Sequence, residues 1–574
     1  MHRPSVNMPV FQTQLDVPAY ARRAALCAGM FVVVLAAGLC ALLPAAYAQS
    51  QYTLNAHPAG APNQAAPVQT FPVKSGQVST GQFQDASAQD APAALPAPDA
   101  MAAEPDPSEF VTRSDGQLMV QGSPKRFGGM NASWLGLVQD GHAAPNWPTQ
   151  FEIKDLLQTI ELMAAGYTRA VSLGASAGCA ECLAPSRDAL VKPGGLNQDA
   201  LKHLDQVLRQ ARDAGVKVII PLSGGHMACP ASGAPDPVAD FACVFASWHH
   251  LDGPAFYTDP AVRADFAAYV GQILNHLNPL TGIAYKNDST IMAWENCDGC
   301  GAGADPKMLA DWTEFVGRTI KMTDSRHMYE NGAFAGRLGK GADAVPTGAL
   351  TLPSVDIIGD RVMPGIDADA SSMDVAADRV TNANRVYLID AYGWTPAQWP
   401  DQAGFQAFLT RITKNRSIAG AFVSELGAHA DQGGYLKPSP AGPGGPALYF
   451  PGVSTQAADE ATMQARARAV RRLSFSMQDI LPLPFANIDA PTILSAVHGR
   501  IVWQGSAGAT TYSIARSRDI TAGGSWSEVC DRCVTDASPV WQDPAPLPAP
   551  VWYRMSPHNA NDHTGMYSQP VQDK

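Results

Sequence analysis

The feature that most restricts the fold is an alternation that runs for about 370 residues, from Phe110 to Leu481. Short runs rich in β-branched and aromatic residues take turns with longer stretches whose apolar residues recur every three or four positions. Strands are expected over residues 126–134, 167–173, 217–222, 291–296, 327–332, 355–363, 385–392 and 420–426. Amphipathic helices are expected over 153–164, 199–214, 261–277, 306–322 and 457–479. A parallel return between neighbouring strands needs a crossover, and a helix that covers the sheet supplies it. Eight strands in this length fit an α/β architecture, a (β/α)8 barrel with long loops, expected over 109–485. In such a barrel chemistry sits on the loops after the strand C-termini.

The flanks differ. Arg22 and Arg23 precede an apolar run from Ala24 to Leu43, and Ala46-Tyr47-Ala48 offers a small-x-small cleavage site. Residues 1–48 therefore predict a secretory signal, with a secreted or periplasmic product. An uncleaved anchor is the alternative, because the run approaches the roughly 20 residues that span a bilayer. No later stretch is long and apolar enough to span. Residues 49–108 are rich in Ala, Pro, Gln, Ser and Asp. They cannot bury enough surface to offset ordering entropy and predict a flexible spacer. Residues 489–574 carry short β runs at Ile501-Val502-Trp503, Tyr512-Ser513-Ile514 and Val551-Trp552-Tyr553-Arg554, separated by turn residues. They predict a small antiparallel sandwich, and Trp503 with Tyr553-Arg554 resembles a fibronectin type III module.

The net charge of −12 argues against a nucleic-acid partner, which calls for a basic face. Cys27 and Cys40 fall in the signal. Cys179, Cys182, Cys229, Cys243, Cys297, Cys300, Cys530 and Cys533 remain, an even number that reads as disulfides in an exported chain. Local pairing is the simplest arrangement, with Cys229 and Cys243 closing the loop after strand three. A four-thiolate zinc site from Cys179-x-x-Cys182 and Cys297-x-x-Cys300 is the alternative; export and the intervening third strand disfavour it. His226, His249, His250 and His429 show no metal-ligand spacing, so structural roles are the default. Neither a metal nor a cofactor is expected, and the chain is expected to be a monomer.

A resemblance rests on many segments. Phe110-Val111, Gly116-Gln117-Leu118 and Phe127-Gly128-Gly129-Met130-Asn131 with Trp134 resemble the opening of family 5 glycoside hydrolases of the endo-β-mannanase type. Tyr167 to Gly174, Leu280 to Glu295, Asp311-Trp312 with His327, and Gly420 to His429 resemble later segments of that family. The resemblance implies a pair of glutamates flanking the scissile bond, about 5 Å apart, one protonating the leaving oxygen and one attacking the anomeric carbon. It implies that Arg169 braces the nucleophile.

The sequence departs from that pattern at the positions that matter. Counting on from Ile291-Met292-Ala293-Trp294-Glu295, the acid/base position falls on Gly299 and its preceding partner on Asp298. The nucleophile position falls on Ala391, one residue after Asp390. Arg361, Val362 and Met363 replace a His and a Tyr before Pro364, and Ser424 stands where a tryptophan lies under the sugar. Asp298, Asp390 and Glu425 are the candidate substitute acids. Each neighbours an inward position, and strand alternation turns it to the other face unless a bulge intervenes. Glu295 reads as a buried structural carboxylate. Arg361 suits an anionic ligand, or an ion pair with Asp360, Asp298 or Asp390. Asn131, Trp134, Arg169, Arg361, Trp394 and Ser424 are the candidate substrate-binding residues, with Trp147, Trp248 and Trp399 as further stacking candidates. Three functions follow: a pseudoenzyme binding β-mannan, β-glucan or exopolysaccharide; an active β-glycosidase with relocated carboxylates; or a cell-envelope scaffold.

Overall fold

The computed structural model describes residues 106–574 except 137–146, 170–172, 176–189, 225–240, 301–304, 334–346, 364–369, 437–445, 456, 486–487, 522–523 and 562. The expected signal, all but the end of the spacer, His226, Cys179, Cys182 and Cys229 lie outside the described residues.

Eight parallel strands close into a barrel: β1 (Phe127–Asn131), β2 (Tyr167–Arg169), β3 (Lys217–Pro221), β4 (Ile291–Glu295), β5 (Met328–Asn331), β6 (Ile357–Val362), β7 (Val386–Tyr392) and β8 (Ile418–Val423). Each pairs with the next in sequence, and β8 closes on β1. The (β/α)8 expectation therefore holds, strand by strand. Outside the barrel lie α1 (Gln150–Leu162), α2 (Gln198–Asp213), α3 (Pro260–Asn275), α4 (Pro306–Thr323), α5 (Ala370–Asn382), α6 (Gln402–Lys414) and α7 (Glu460–Met477). Local sequence sets where they start. Thr149 and Glu152 form a reciprocal capping box at α1. Asp259 and Asp305 cap α3 and α4, each followed by a proline that needs no N–H bond.

The interior of the barrel is filled at its N-terminal end by Phe127, Tyr167, Ile219, Met292, Met328, Leu388 and Phe422. A three-stranded sheet (Thr112–Ser114, Gln117–Val120, Ser123–Lys125) adds Leu118 to the same cluster. That end is packed solid, which leaves polar side chains to the C-terminal end.

After α7 the chain forms two antiparallel sheets. One joins β9 (Thr492–Val497), β10 (Arg500–Gln504) and β13 (Val540–Gln542). The other joins β11 (Thr511–Ser517), β12 (Ser527–Val534), β14 (Trp552–His558) and β15 (Val571–Gln572). Ile501, Trp503, Tyr512, Ile514, Tyr553 and Met555 form their own core. Among the described residues, Cys297–Cys300 and Cys530–Cys533 are disulfides, and Cys243 is disulfide-bonded as well. No described helix is long and apolar enough to cross a membrane.

Candidate functional site

Four strands deliver charged side chains to one point at the C-terminal end of the barrel. β2 ends at Arg169, β4 ends at Glu295, β5 carries Glu330, and β7 carries Asp390. All four are buried. Arg169 Nη2 lies 2.6 Å from Glu295 Oε1, 3.1 Å from Asp298 Oδ1 and 3.7 Å from Asp390 Oδ2. Glu330 stands beside Glu295 in the β4–β5 register, and its carboxyl lies against that of Asp390.

One cation therefore faces four carboxyl groups. Full ionisation would leave uncompensated negative charge in the interior, which is costly. The cluster resolves this by keeping protons. Burial holds Glu295 well above the ordinary carboxylate range; Arg169 opposes that, while Asp390 and Asp298 reinforce it. Burial does the same to Glu330, and the like charges of Asp390 and Glu295 add to it. Arg169 stays cationic: burial opposes its charge, but Glu295, Asp390, Asp298 and Glu330 more than offset this.

Asp390 reaches this cluster by ordinary strand alternation: Val386 and Leu388 face the barrel interior, and Asp390 is the next residue on that face. Asp360 pairs with Ile389, yet Arg361 pairs with Ala391, so Asp390 is an extra residue in β7. The expectation that strand alternation turns Asp390 to the other face is corrected: Asp390 is in step with the interior residue Leu388, and the bulge beside it brings Arg361 opposite Ala391. Two neighbours hold the bulge. Asn131 Nδ2 donates to the Asp390 carbonyl at 2.6 Å, which is where this candidate ligand-binding amide is engaged. Gly359 offers the space: a Cβ there would lie 1.7 Å from Asp390 Oδ2.

Asp298 is positioned by the corner after β4. Its amide donates to Ser223 O at 2.9 Å, and the Gly299 amide donates to Gly332 O at 3.2 Å. Asn296 accepts from the Cys297 and Gly332 amides and donates to Asn331. The Cys297–Cys300 bond closes the turn, and Gly299 sits at φ +70°, a conformation suited to glycine. Gly299 brings no carboxyl group to that corner, and the one that is there belongs to Asp298.

Glu425 follows β8 on the other side of the mouth. Ser133 Oγ donates to its Oε1 at 2.5 Å. Burial raises it to about 7, against hydrogen bonds from Ser133 and Trp134 and with help from Asp298. The tryptophans behave differently from the sequence expectation. Trp134 and Trp394 are fully buried and donate their indole N–H groups to Leu426 O and Pro446 O. They pack the walls and offer no open ring face. Trp399 stacks on Phe408 and bonds Gly393 O. Trp147 stacks on His203. The Arg361 amide donates to Asp360, which also accepts from Tyr387. Ser424 is buried beside Tyr392, whose carbonyl its amide reaches.

Glu330 is the member of the cluster that sequence reasoning missed. A signal existed: Trp294-Glu295-Asn296 and Tyr329-Glu330-Asn331 repeat one aromatic-Glu-Asn pattern at the ends of adjacent strands. No metal-binding group of His, Cys, Asp or Glu occurs among the described residues.

The arrangement limits the chemistry. Oδ1 of Asp298 and Oδ2 of Asp390 lie 3.1 and 3.7 Å from one nitrogen, so they are at most about 7 Å apart. They therefore stand no further apart than the roughly 5–9.5 Å spread of glycosidase carboxyl pairs allows. Exposure separates them: the Asp298 side chain is 23 % exposed and that of Asp390 is 0 %.

Residues 108–345 match the family model described as GH family 5 beta-mannosidase-like. That span contains β1 to β5 with Asp298 and Gly299, and ends before Asp390 and Glu425. The chain is 28 % identical over 185 residues to mannan endo-1,4-beta-mannosidase 2 of Oryza sativa subsp. japonica, covering 32 % of this chain and 38 % of that protein. It is 26 % identical over 269 residues to mannan endo-1,4-beta-mannosidase 1 of the same rice, covering 45 % and 57 %. The chain thus spans well under two thirds of the curated relatives it matches. Its fold is similar to the endo-beta-1,4-mannanase of Thermotoga petrophila, with a TM-score of 0.50 at 15 % identity over 79 % of this chain and 99 % of that one. Residues 108–345 are thus similar to the family 5 mannosidase-like domain.

Proposed function

We propose that this protein is an exported, non-hydrolytic member of the mannanase-like group that binds β-linked polysaccharide of the mannan or glucan type. In this reading residues 1–48 direct export, 49–108 form a spacer, and the β sheets of 489–574 are a fibronectin type III-like module. The observation that carries it is at the barrel mouth. Gly299 and Ala391 stand where the resemblance requires the two glutamates, and neither can give or accept a proton. The acids nearby are engaged elsewhere: Glu295, Glu330 and Asp390 are sealed with Arg169. A catalytic carboxylate must touch the sugar, and these have no surface with which to do so.

A second reading has one observation in its favour. Asp298 and Asp390 converge on Arg169 at the barrel mouth, no further apart than glycosidase carboxyl pairs stand. One experiment separates the two. The purified protein is offered β-1,4-mannan, β-glucan and an acidic exopolysaccharide, with binding followed by affinity electrophoresis and cleavage by reducing-end release. Saturable binding without release is expected. Release that disappears in Asp298→Asn establishes the hydrolase instead, and absence of all binding leaves the scaffold.

A further inference from the structure

The junction between the barrel and the C-terminal sheets is built around one buried histidine. His429 lies in the segment after β8, four residues beyond Glu425. Its Nδ1 faces both Asp155 oxygens, at 2.9 and 3.0 Å, and its backbone amide donates to Asp155 Oδ2 at 2.9 Å. Its Nε2 lies 3.1 Å from Asp536 Oδ2. A ring with carboxylates on both nitrogens must donate from both, so it is an imidazolium. Asp155 belongs to α1 of the barrel; Asp536 belongs to the turn between β12 and β13. Asp536 is itself fixed by Trp503 Nε1 at 2.9 Å and Tyr512 OH at 2.5 Å.

The surrounding contact is tight. A Cβ on Gly505 would lie 2.5 Å from the His429 ring and 2.6 Å from the Asp536 carboxyl. Gln504 Nε2 donates to Asp431 O and Oδ1 at 2.6 and 3.0 Å. Tyr435 stacks on His429 with ring centres 4.5 Å apart. The same segment forms the β8 wall of the mouth: Leu426 N reaches Asn131 O, Trp134 reaches Leu426 O, and Ser133 reaches Glu425.

We propose that the C-terminal sheets are a fixed strut for the β8 wall rather than a separable module, and that His429 is the positioning residue that transmits the strut to Glu425. The arm that reads glycan binding rests on the function proposed above; the arm that reads backbone protection does not. Buried ion pairs tied to two elements set geometry more than they add stability, and truncating one partner frees the segment it held. The test is hydrogen–deuterium exchange on the full chain with Asp536→Asn, alongside affinity for a β-1,4-manno-oligosaccharide. Exchange of the 424–436 amides is expected to rise about tenfold with β4 unchanged, as local opening predicts, and affinity to fall about fivefold. Gln504→Ala serves as a milder variant and should raise exchange in the same segment by less. Unchanged exchange at 424–436 in both variants, or an equal rise throughout the barrel, overturns the proposal. If the wild-type chain binds no glycan, the functional reading falls while the exchange result still decides the strut.

Discussion

At the residue scale the decisive group is Glu330, because it turns a salt bridge into a proton-holding cluster. Glu295 and Glu330 hold protons in the folded chain well above the ordinary value of 4.5. Between that value and their raised ones, the folded state binds more protons than the unfolded state. Stability therefore falls as pH rises through that window. Replacing Glu330 by Gln keeps the shape, removes one titration and gives Asp390 an N–H donor. Glu330→Gln is expected to raise stability at pH 7–8 by on the order of 1–3 kcal/mol and to flatten the slope from pH 4.5 upward. Melting temperatures across pH 4.5 to 8.5 check this; a variant less stable than wild type at pH 8 refutes the shared-proton account. Arg169→Met has the opposite sign, since it leaves buried acids without their cation, at a cost of roughly 3–5 kcal/mol.

At the element scale the barrel was legible and its most interesting strand was not. All eight strands were readable because each is a short apolar run bounded by turn residues, while a helical period was read after strands one to four and eight and the helices Ala370–Asn382 and Gln402–Lys414 were not. α1, α3 and α4 were legible from apolar periodicity, and the structure adds their caps Thr149, Asp259 and Asp305. The β7 bulge left no such mark. Residues 386–392 read as an unbroken strand, and the irregularity is imposed from outside, by Asn131 on the Asp390 carbonyl and by the missing side chain at Gly359. Asp390 was sent to the wrong face because the alternation was counted from Ala391; counted from Leu388, which lies in the barrel interior, it faces inward. The disulfide corner at 297–300 was legible from the Cys-x-x-Cys spacing taken with the expected export, since spacing by itself left a zinc site open. The packing of Trp134 and Trp394 was not, because a buried indole and a sugar platform have the same one-letter code. Gly359 carries a prediction of its own. Gly359→Ala must expel the Asp390 carboxyl from its place, and should cost on the order of 2–4 kcal/mol in urea unfolding. Gly359→Ala combined with Asp390→Ala should cost clearly less than the sum of the two single changes, because both act through one contact. Additive losses remove that contact from the explanation.

At the scale of the whole molecule, two buried polar centres push the pH profile in one direction. The barrel cluster weakens as its acids lose protons, and the junction weakens as His429 does. Burial opposes the imidazolium, but Asp155 and Asp536 outweigh it and push the ring up to about 10. A cation held above its ordinary value of 6.5 stabilises fully below that value and loses its contribution as pH rises through the folded one. The neighbouring Tyr435 and Tyr512 are pushed well above their ordinary 10 by burial and by Asp536, so they stay neutral in this window. His429→Gln is therefore expected to be less stable than wild type at pH 6 by roughly 3–5 kcal/mol, the scale of a broken buried pair. The gap should narrow steadily between pH 7 and 10, because the wild type gives up what the variant never had. Thermal unfolding of both proteins across that range reads the gap directly. A gap that stays constant with pH would mean that His429 acts at the junction through packing alone, without its charge.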